Sequence, residues 1–354
     1  MPDVGSAELP LAGVRVVALV ETVPGPLASS ILADLGADVL VVERPAGDPA
    51  RAIPAVFGSF ARNKRFVALD LRAPGDRARL HRELATAHVV LVGYRPDVAR
   101  RLELDPPTLA RRYPDAVIVS VTAAGDDEGG VTKPAHDLSV RAVAGQVPTG
   151  RTMTESELDG APVADIVTGV YAALAAVAGL VGRPRGRVLG VSMRDAAFAL
   201  NAIGLTAELQ DVGIAGTMRA PAGYRTFRCR DGVLVAVGIS YEAHHWDALC
   251  GRLGLTDLAG LSVEERIGRR DELNARLEAE LATRDAASLL DELGDDLPVE
   301  LVRTLREASA LAPTVRDPEG GRHLASPIVV DGERLPVRTR SPGPPSAPGL
   351  SPGR

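Results

Sequence analysis

The sequence contains little cysteine, few aromatic side chains and no block of charge of one sign. Cys229 and Cys250 are its only cysteines among 354 residues, and their spacing fits neither a metal-ligand pair nor a disulfide framework. This scarcity favours a reducing compartment. Acidic and basic residues are interspersed, with a formal net charge of −6. Such a distribution argues against a broad surface for nucleic acid or an anionic membrane.

The chain also lacks an evident targeting or membrane segment. The first ten residues, MPDVGSAELP, contain no basic region followed by an apolar one, and no apolar run approaches the ~20 residues that span a bilayer. We therefore expect a cytoplasmic protein without membrane or nucleic-acid partners. The terminal stretch RSPGPPSAPGLSPGR is rich in Pro, Gly and Ser, so we expect a mobile tail or one draped over a partner.

Apolar runs rich in β-branched residues alternate with helical patterns over the first 125 residues. The runs are GVRVVALV, ADVLVVER, RFVALDL, HVVLVGY and AVIVSVT. Runs of this kind are typical of strands buried on both faces of a parallel sheet, and the helical stretches between them supply the crossovers. The pattern predicts an α/β fold with an open, doubly wound, mostly parallel, Rossmann-like sheet.

Beyond residue 161 the pattern changes. Two long small-residue helices are predicted, ADIVTGVYAALAAVAGLVG and SMRDAAFALNAIGLTAELQ, and helices of this kind pack closely against another surface. They are followed by two strands joined at Asp231 and Gly232, by further helices, and by a terminal hairpin at IVVDGERLPV. We predict a large α/β lobe over residues 1–194, a smaller α+β lobe over 195–312, and a return to the large lobe with the tail over 313–354.

A β-α-β unit raises the question of dinucleotide binding. Glu43 ends the second strand, roughly where an acid would contact a ribose. The glycine fingerprint is absent, however, because the turn reads ETVPGPLASS. Pro24 and Pro26 remove two backbone donors where phosphate oxygens would need them. The nicotinamide interpretation is therefore the weaker one.

Two polar residues stand next to apolar helical segments, His136 in KPAHDLSVRAVAG and Asp165 in PVADIVTGVYAAL. Each alone has a plain structural interpretation, a hydrogen-bonded boundary histidine and a helix cap, because buried polar groups usually just find a partner. The rest of the sequence favours a functional interpretation.

Much of the first 200 residues resembles the class III CoA-transferases, the family of formyl-CoA transferase, carnitine CoA-transferase and α-methylacyl-CoA racemase. The matching segments occur in the order of the family: LAGVRVVALVETVPGPLASSILADLGADVLVVERPAGDPAR, ARNKRFVALDLR, GYRPDVARRLEL, the stretch from VTAAGDDEGG to KPAHDLSVRAVAG, PVADIVTGVYAAL and GVSMRDAAFAL. The small lobe matches more loosely through YRTFRCRDGVLVAVG.

The resemblance implies CoA thioester chemistry on an interlocked homodimer, with the CoA moiety on the first lobe and no cofactor other than the CoA of the substrate. CoA phosphates require cations. Candidates in the loops are Arg44 after the second strand, Lys64 and Arg65 before the third, and Arg95 after the fourth. Arg44 and Arg95 fall at carboxyl ends of strands, where open sheets bind ligands. Solvated surface cations are the alternative interpretation of each.

Asp165 occupies the family's catalytic position, but the resemblance leaves two reactions open. In the transferases this aspartate is a nucleophile that carries CoA as an aspartyl thioester. In the racemases it pairs with a histidine, and this chain has His136 in an Ala-His-Asp sequence where racemases have Gly-His-Asp. Inversion at the α-carbon of a thioester needs two acid/base groups, one on each face, and an imidazole and a carboxyl whose pKa is raised by burial suit these roles.

Proton transfer at the α-carbon of a 2-methylacyl- or aryl-acyl-CoA by His136 and Asp165 is thus the first prediction. CoA transfer through Asp165 is the second, and a non-catalytic CoA-binding protein the third. Glu242 falls near a racemase glutamate that hydrogen-bonds the histidine and fixes its tautomer. Asp165 also begins a helix, whose first N–H groups are expected to be free for an enolate oxygen. The helix terminus lowers the pKa of Asp165 and burial raises it, and the sequence does not decide between them.

Overall fold

The computed structural model describes residues 9–124, 134–182, 186–211, 220–340 and 342. Most of the predicted tail, the VTAAGDDEGG stretch beyond residue 124, and residues 212–219 lie outside the described residues. The chain divides into two compact units, one formed by Met1–Ala202 with Pro313–Arg354 and the other by Ile203–Ala312. The predicted lobe boundary at residue 194 falls earlier, inside a helix of the first unit.

The first unit is built on a six-stranded parallel sheet with the order β3-β2-β1-β4-β5-β6. Its strands are β1 Arg15–Leu19, β2 Asp38–Glu43, β3 Lys64–Ala68, β4 Val89–Val92, β5 Val117–Thr122 and β6 Val188–Ser192. The first five were predicted from the apolar runs. The sixth was missed, because its alternating partly exposed residues carry no continuous apolar signal.

Helices cover both faces of this sheet. The helices of the first unit are α1 Pro24–Asp34, α2 Pro54–Phe60, α3 Pro74–Leu84, α4 Pro96–Arg101, α5 Pro106–Arg112, α6 Asp137–Val143, α7 Glu155–Leu158, α8 Val163–Val181 and α9 Met193–Leu200, with a 3-10 turn at Pro49–Ala52; α10 Ala202–Leu209 begins the second unit. Alternate strand residues point to opposite faces, so Val16 packs in one core with α1 and α8, whereas Val17 packs in another with α3. The predicted α/β fold with a parallel sheet is confirmed.

Small residues bring α8 close to α1 and to the sheet. A side chain at Gly169 would place its Cβ 2.7 Å from the carbonyl oxygen of Pro24, and one at Gly179 would meet Val117 at 2.3 Å. The second long helix was predicted as continuous, but the structure ends α9 at Leu200 and begins α10 at Ala202.

Helix α8 lies within the segment Glu155–Val181, which is long and apolar enough by length and composition to cross a membrane, with 39% of its most apolar window buried. The expectation that no apolar run approaches this length was therefore wrong. The Ala and Gly residues of the segment are mostly buried, and Gly169 and Gly179 pack on α1 and β5. One such helix is weak evidence for a membrane span, because core helices share these properties.

The second unit carries a three-stranded antiparallel sheet of β7 Tyr224–Arg228, β8 Leu234–Gly238 and β9 Val299–Leu301. The turn between β7 and β8 contains Asp231 and Gly232, as predicted. Helices Ala243–Arg252, Val263–Gly268, Arg270–Leu281, Ala286–Leu293 and Leu305–Leu311 accompany the sheet, with a 3-10 turn at Thr256–Leu258. The core of this unit is centred on the fully buried Trp246.

The returning segment adds two short hairpins to the first unit, β10 Thr314–Arg316 with β11 Arg322–Leu324 and β12 Val329–Val330 with β13 Glu333–Arg334. A buried cluster holds it. Arg62 donates to both carboxylate oxygens of Asp34, and Asn63 receives the N–H groups of Arg338 and Thr339 at 2.6 and 3.1 Å. Charge-assisted bonds between side chains of this low exposure are strong.

Candidate active site

The strand order of the first unit creates a crevice where it reverses, between β1 and β4. Open α/β sheets bind ligands outside the carboxyl ends of their strands at such a point. Glu21 and Thr22 follow β1, and Tyr94 and Arg95 follow β4. Burial raises the pKa of Tyr94 to about 12, and the charge of Glu21 adds to this rise. The two loops therefore lie within electrostatic reach of each other at the crevice.

Asp165 lies at the same edge of the sheet. It is the third residue of α8, and its neighbour Ala164 packs in one cluster with Met193, which directly follows the carboxyl end of β6. Farther along, Gly179 packs on Val117, the first residue of β5. Helix α8 thus runs from the carboxyl edge to the amino edge. Its first turn, which carries Asp165, stands where a ligand is expected.

A residue of α6 caps α8, and this was not predicted. Asp137 Oδ1 accepts the backbone N–H groups of Ala164 at 2.7 Å and Asp165 at 3.4 Å, while its other oxygen lies 3.3 Å from Arg141. A carboxylate is a favourable partner for these helix-terminal donors. The prediction that the first N–H groups of α8 are free for an enolate oxygen is wrong for both of these donors.

The capping by Asp137 also bears on the ionisation of Asp165. The pKa of Asp165 is raised from 3.8 to about 6, mainly by burial and also by the charge of Asp137, against the lowering effect of His136. Because Asp137 takes the N–H groups that would otherwise stabilise the Asp165 carboxylate, the helix terminus loses much of its opposing effect. Burial and the charge of Asp137 together therefore raise the pKa of Asp165, a direction that the sequence left open.

His136 immediately precedes α6 and is exposed. Its backbone N–H donates to Ser139 Oγ at 3.0 Å, which fixes the start of the helix. The charge of His136 lowers the pKa of Asp165, and the two predicted acid/base residues lie in one region of the first unit. Neither is fully buried, so the site is open in this chain.

Glu242 belongs to the second unit, where it precedes the helix Ala243–Arg252. Its carboxylate accepts the backbone N–H of Ser240 at 3.2 Å. Hydrogen bonds from its own backbone N–H and that of Ser240 lower its pKa, and His245 and His244 lower it further. A hydrogen bond from Glu242 to His136 stays a prediction.

The four predicted CoA-binding cations separate into two groups. Arg44 and Arg95 follow β2 and β4 at the carboxyl edge. Arg44 is half-exposed, donates to the carbonyl oxygen of Gly47 at 2.9 Å and lies 3.5 Å from Glu21. Arg95 is exposed and makes no side-chain hydrogen bond or ion pair with the described residues. Both remain accessible to a ligand.

The sequence analysis placed Lys64 and Arg65 before the third strand. In the structure they are its first two residues. Arg65 pairs with Asp38, the first residue of β2, and therefore lies at the amino edge of the sheet, opposite to Arg44. Lys64 is buried and donates to the carbonyl oxygen of Pro26 at 2.7 Å and to Ser29 Oγ at 2.6 Å. Arg65 thus lies apart from Arg44 and Arg95, whereas the Lys64 ammonium group reaches the first turn of α1, and its role in binding CoA stays a prediction.

Burial lowers the pKa of Lys64 to about 7, against the opposing effect of Asp34 and Asp48. Its charge is therefore partly lost near neutral pH. This makes Lys64 a weaker point charge for phosphate than its sequence position indicated.

The sequence analysis considered Glu43 as a possible contact to a dinucleotide ribose. Its carboxylate is instead paired with an arginine of the same unit. Arg51 holds its two carboxylate oxygens at 3.0 Å each. Proline at two of the first three positions of α1 leaves Gly25 as the one early residue with a backbone donor. Among the described residues, no cluster of three or more His, Cys, Asp or Glu is placed to hold a metal ion.

A strained turn at the crevice was missed by the sequence analysis. Thr22 has a φ of 71°, a left-handed conformation that is costly for a β-branched residue. Its N–H lies 3.1 and 3.2 Å from the two carboxylate oxygens of Asp48, which also accepts the N–H of Ala50 at 2.8 Å. No local sequence signal marks Thr22, because its conformation is imposed by a carboxylate 26 residues away.

The fold and this edge define an α/β protein with a half-buried aspartate at the carboxyl edge of an open parallel sheet. Comparison with known proteins identifies the family. The model of CoA-transferase family III matches residues 11–346, and the chain belongs to that family of enzymes.

Its relatives have related activities. The chain is 33% identical over 319 residues to a probable fatty acyl-CoA transferase, Rv3272 of Mycobacterium tuberculosis, covering 81% of this chain and 80% of the relative. It is 28% identical to a succinyl-CoA:mesaconate CoA-transferase of Haloarcula hispanica, covering 83% and 80%. The crystal structure of Rv3272 matches with a TM-score of 0.81 and 29% identity over 94% of this chain and 96% of that one.

Proposed function

We propose that this enzyme transfers CoA from an acyl-CoA thioester to a carboxylic acid, with Asp165 as the nucleophile. The observation that carries the proposal is the position of Asp165, which is half-buried in the first turn of α8 at the carboxyl edge of the sheet. A pKa of about 6 leaves this carboxylate mostly ionised above neutral pH. An ionised carboxylate is the form that attacks a thioester. The named relatives, which are CoA-transferases, support the same reaction.

The chemistry proceeds through covalent intermediates. The Asp165 carboxylate attacks the thioester carbonyl and expels the CoA thiolate, which leaves a mixed anhydride. The thiolate then attacks the Asp165 carbonyl, releasing the donor acid and forming an aspartyl-CoA thioester. The acceptor carboxylate repeats these steps in reverse, so that the acceptor leaves as its CoA thioester and Asp165 is restored.

Arg44 and Arg95 are the cations we assign to the CoA phosphates. Both are accessible at the carboxyl edge, and a planar guanidinium offers paired donors to a phosphate. The mechanism requires no cofactor, because CoA enters as part of the substrate. We place the enzyme in the cytoplasm.

Proton transfer at the α-carbon remains a second candidate because His136 is close enough to Asp165 to lower its pKa. Such a pair has the composition that inversion requires. It is the less favoured candidate because the named relatives are CoA-transferases. The relatives also give racemase activity no specific support.

We further propose a homodimer, with the exposed apolar face of α8 covered by a second copy of the chain. Val163, Ile166, Val170, Leu174 and Val181 are 36–81% exposed and recur at spacings of three, four and seven residues. This places them along one face of a helix. An apolar stripe of this length is unusual on a monomer. Size measurement by light scattering of the wild type and of Leu174→Glu tests this; an unchanged size would contradict it.

The reaction is tested by incubating the enzyme with an acyl-CoA donor and a panel of carboxylic acids, with acyl-CoA products detected by mass spectrometry. Asp165→Asn should abolish transfer, and hydroxylamine should trap an Asp165 adduct in the wild type. A parallel incubation in deuterium oxide without acceptor tests the second candidate. Deuterium at the α-carbon, lost in His136→Ala and with no trapped adduct, would overturn CoA transfer in favour of proton transfer.

A further inference from the structure

Three carboxylates stand at or just after the carboxyl ends of β1 and β2, beside the crevice: Glu21, Glu43 and Asp48. Two of them have hydrogen-bond donors within the first unit. Arg51 holds both oxygens of Glu43, and Asp48 accepts backbone N–H groups. The carboxylate of Glu21 accepts no hydrogen bond from the part of the chain that the structure describes, and its side chain is 33% exposed. Glu21 is therefore the carboxylate of this group that a ligand in the crevice would face.

The cation that pairs with Glu21 is Arg44. Its Nε donates to the carbonyl oxygen of Gly47 at 2.9 Å and lies 3.5 Å from Glu21 Oε1. The two terminal amino groups of the guanidinium make no hydrogen bond with any described residue, and half of the side chain is exposed. Arg44 is thus held through Nε alone. Its paired donors stay open to a phosphate, with a carboxylate close by.

The other titratable groups that face Glu21 do not compensate its charge. Burial raises the pKa of Glu21, Arg44 lowers it, and the charges of Asp48 and Glu43 raise it. Tyr94, on the β4 side of the crevice, feels the charge of Glu21, and its own pKa of about 12 leaves it neutral. Arg44 is therefore the group that favours the ionised form of Glu21.

We propose that Glu21 sets the affinity for CoA, because its carboxylate repels the phosphate that binds at Arg44. The proposal rests on the CoA-transfer function and on the assignment of Arg44 to the CoA phosphates. A phosphate on the terminal amino groups of one guanidinium lies within the Debye length, about 8 Å, of a carboxylate beside its Nε. Like charges at this range weaken binding. Each turnover must release a newly formed acyl-CoA, and the repulsion favours that release.

Binding is measured by titration calorimetry at pH 7.5 with CoA and with pantetheine, which lacks the phosphates. Glu21→Gln keeps the shape of the side chain, and the Gly47 carbonyl still holds Arg44 Nε. We expect Glu21→Gln to bind CoA about three- to fivefold more tightly than the wild type, the range that partly exposed charge pairs allow. Pantetheine should bind both proteins equally, because it carries no negative charge.

The pH dependence separates a charge effect from a structural one. Because the pKa of Glu21 is raised, part of it is protonated at pH 5, and the difference in CoA affinity should shrink there. A bound phosphate also favours the neutral form of Glu21. Titrations at pH 6 in two buffers of different protonation enthalpy should therefore show more proton uptake on CoA binding by the wild type than by Glu21→Gln.

Glu103→Gln is the matched control, because it breaks another Glu–Arg pair of the first unit, in which Glu103 lies 3.0 Å from Arg77. It should bind CoA as the wild type does. Arg44→Gln should weaken CoA binding. In an Arg44→Gln background the gain from Glu21→Gln should fall by at least half, because the phosphate is no longer held beside Glu21.

Four results would overturn the proposal. CoA binding by Glu21→Gln that is unchanged or weaker would contradict the repulsion, and equal tightening of pantetheine would mean that the phosphates are not involved. Equal proton uptake by both proteins would contradict the role of the Glu21 charge. Unchanged CoA binding by Arg44→Gln would remove the site itself. Turnover by the wild type is assayed separately, so that absence of CoA transfer with every donor would refute the proposed function instead.

Discussion

Replacing Asp165 by Asn should stabilise the protein at neutral pH while abolishing CoA transfer. The folded-state pKa of this carboxyl is raised from 3.8 to about 6, so the folded protein binds its proton more tightly than the unfolded chain does. Between these two values the slope of stability with pH is negative. The charged carboxylate therefore costs stability above pH 6, and this cost disappears as the pH falls through 6 toward 3.8.

The upper limit of this cost follows from the two pKa values and is about 3 kcal/mol. Asp165 is only partly buried, and solvent screening reduces the figure to about 1–2 kcal/mol. Asn keeps the shape of the side chain without the charge. The gain should be visible as a rise of the unfolding temperature by about 2–4 °C per kcal/mol.

Thermal and urea unfolding of the wild type and Asp165→Asn at pH 7.5 and pH 5 would measure the effect. The stability gain should fall by about half at pH 5, where much of the native carboxyl is already protonated. Asp97→Asn is the control, an exposed aspartate in the first turn of α4 that should change stability by less than about 0.5 kcal/mol. Loss of stability in Asp165→Asn at pH 7.5, or a gain independent of pH, would refute the reasoning.

Other changes have equally definite expectations. Asp137→Asn keeps the cap of α8 but removes the charge that raises the pKa of Asp165. The acid limb of the pH–rate profile should therefore move to lower pH. A shift to higher pH would contradict the conclusion that the charge of Asp137 raises this pKa. Gly169→Ala forces a Cβ to within 2.7 Å of Pro24 and should cost about 1–3 kcal/mol in urea unfolding, whereas Gly75→Ala, with open space around it, should not. Burial lowers the pKa of Lys64 from 10.5 to about 7. Between these two pH values the unfolded chain binds more protons than the folded protein, so the free energy of unfolding should rise with pH. This rise should be smaller in Lys64→Met, and an equal rise in both proteins would count against a buried charge at this position.

The parallel-sheet core was predictable because its signal is local. Runs such as Val39–Val42 and Val89–Val92 are buried on both faces, so every residue in them is apolar and the run is continuous. Strand β6 was not predicted, because Val188 and Gly190 are exposed and the strand therefore has no continuous apolar run. The split between α9 and α10 at Asn201 likewise has no strong local breaker in the sequence.

The candidate site was predictable only in part. Asp165 and His136 were singled out by their neighbours and by the family resemblance, and they lie in one region because Asp137, which follows His136, accepts the backbone N–H of Asp165. The positions of Arg44 and Arg95 at carboxyl ends followed from strand order. Lys64 and Arg65 are adjacent in sequence, yet one is buried against Ser29 and the other pairs with Asp38 on the surface, because successive residues of a strand point to opposite faces.

The sequence by itself determined the α/β architecture and the family, and it marked Asp165 as the candidate nucleophile, because these depend on periodicity and on short motifs. The tertiary structure decided how that residue ionises. Asp137 lies 28 residues from Asp165 in the chain, and its capping of α8 and its charge act on Asp165 only after α6 and α8 have packed together. The same holds for Asp48 and the strained Thr22, because hydrogen bonds and desolvation depend on distances in space that no local pattern of residues specifies.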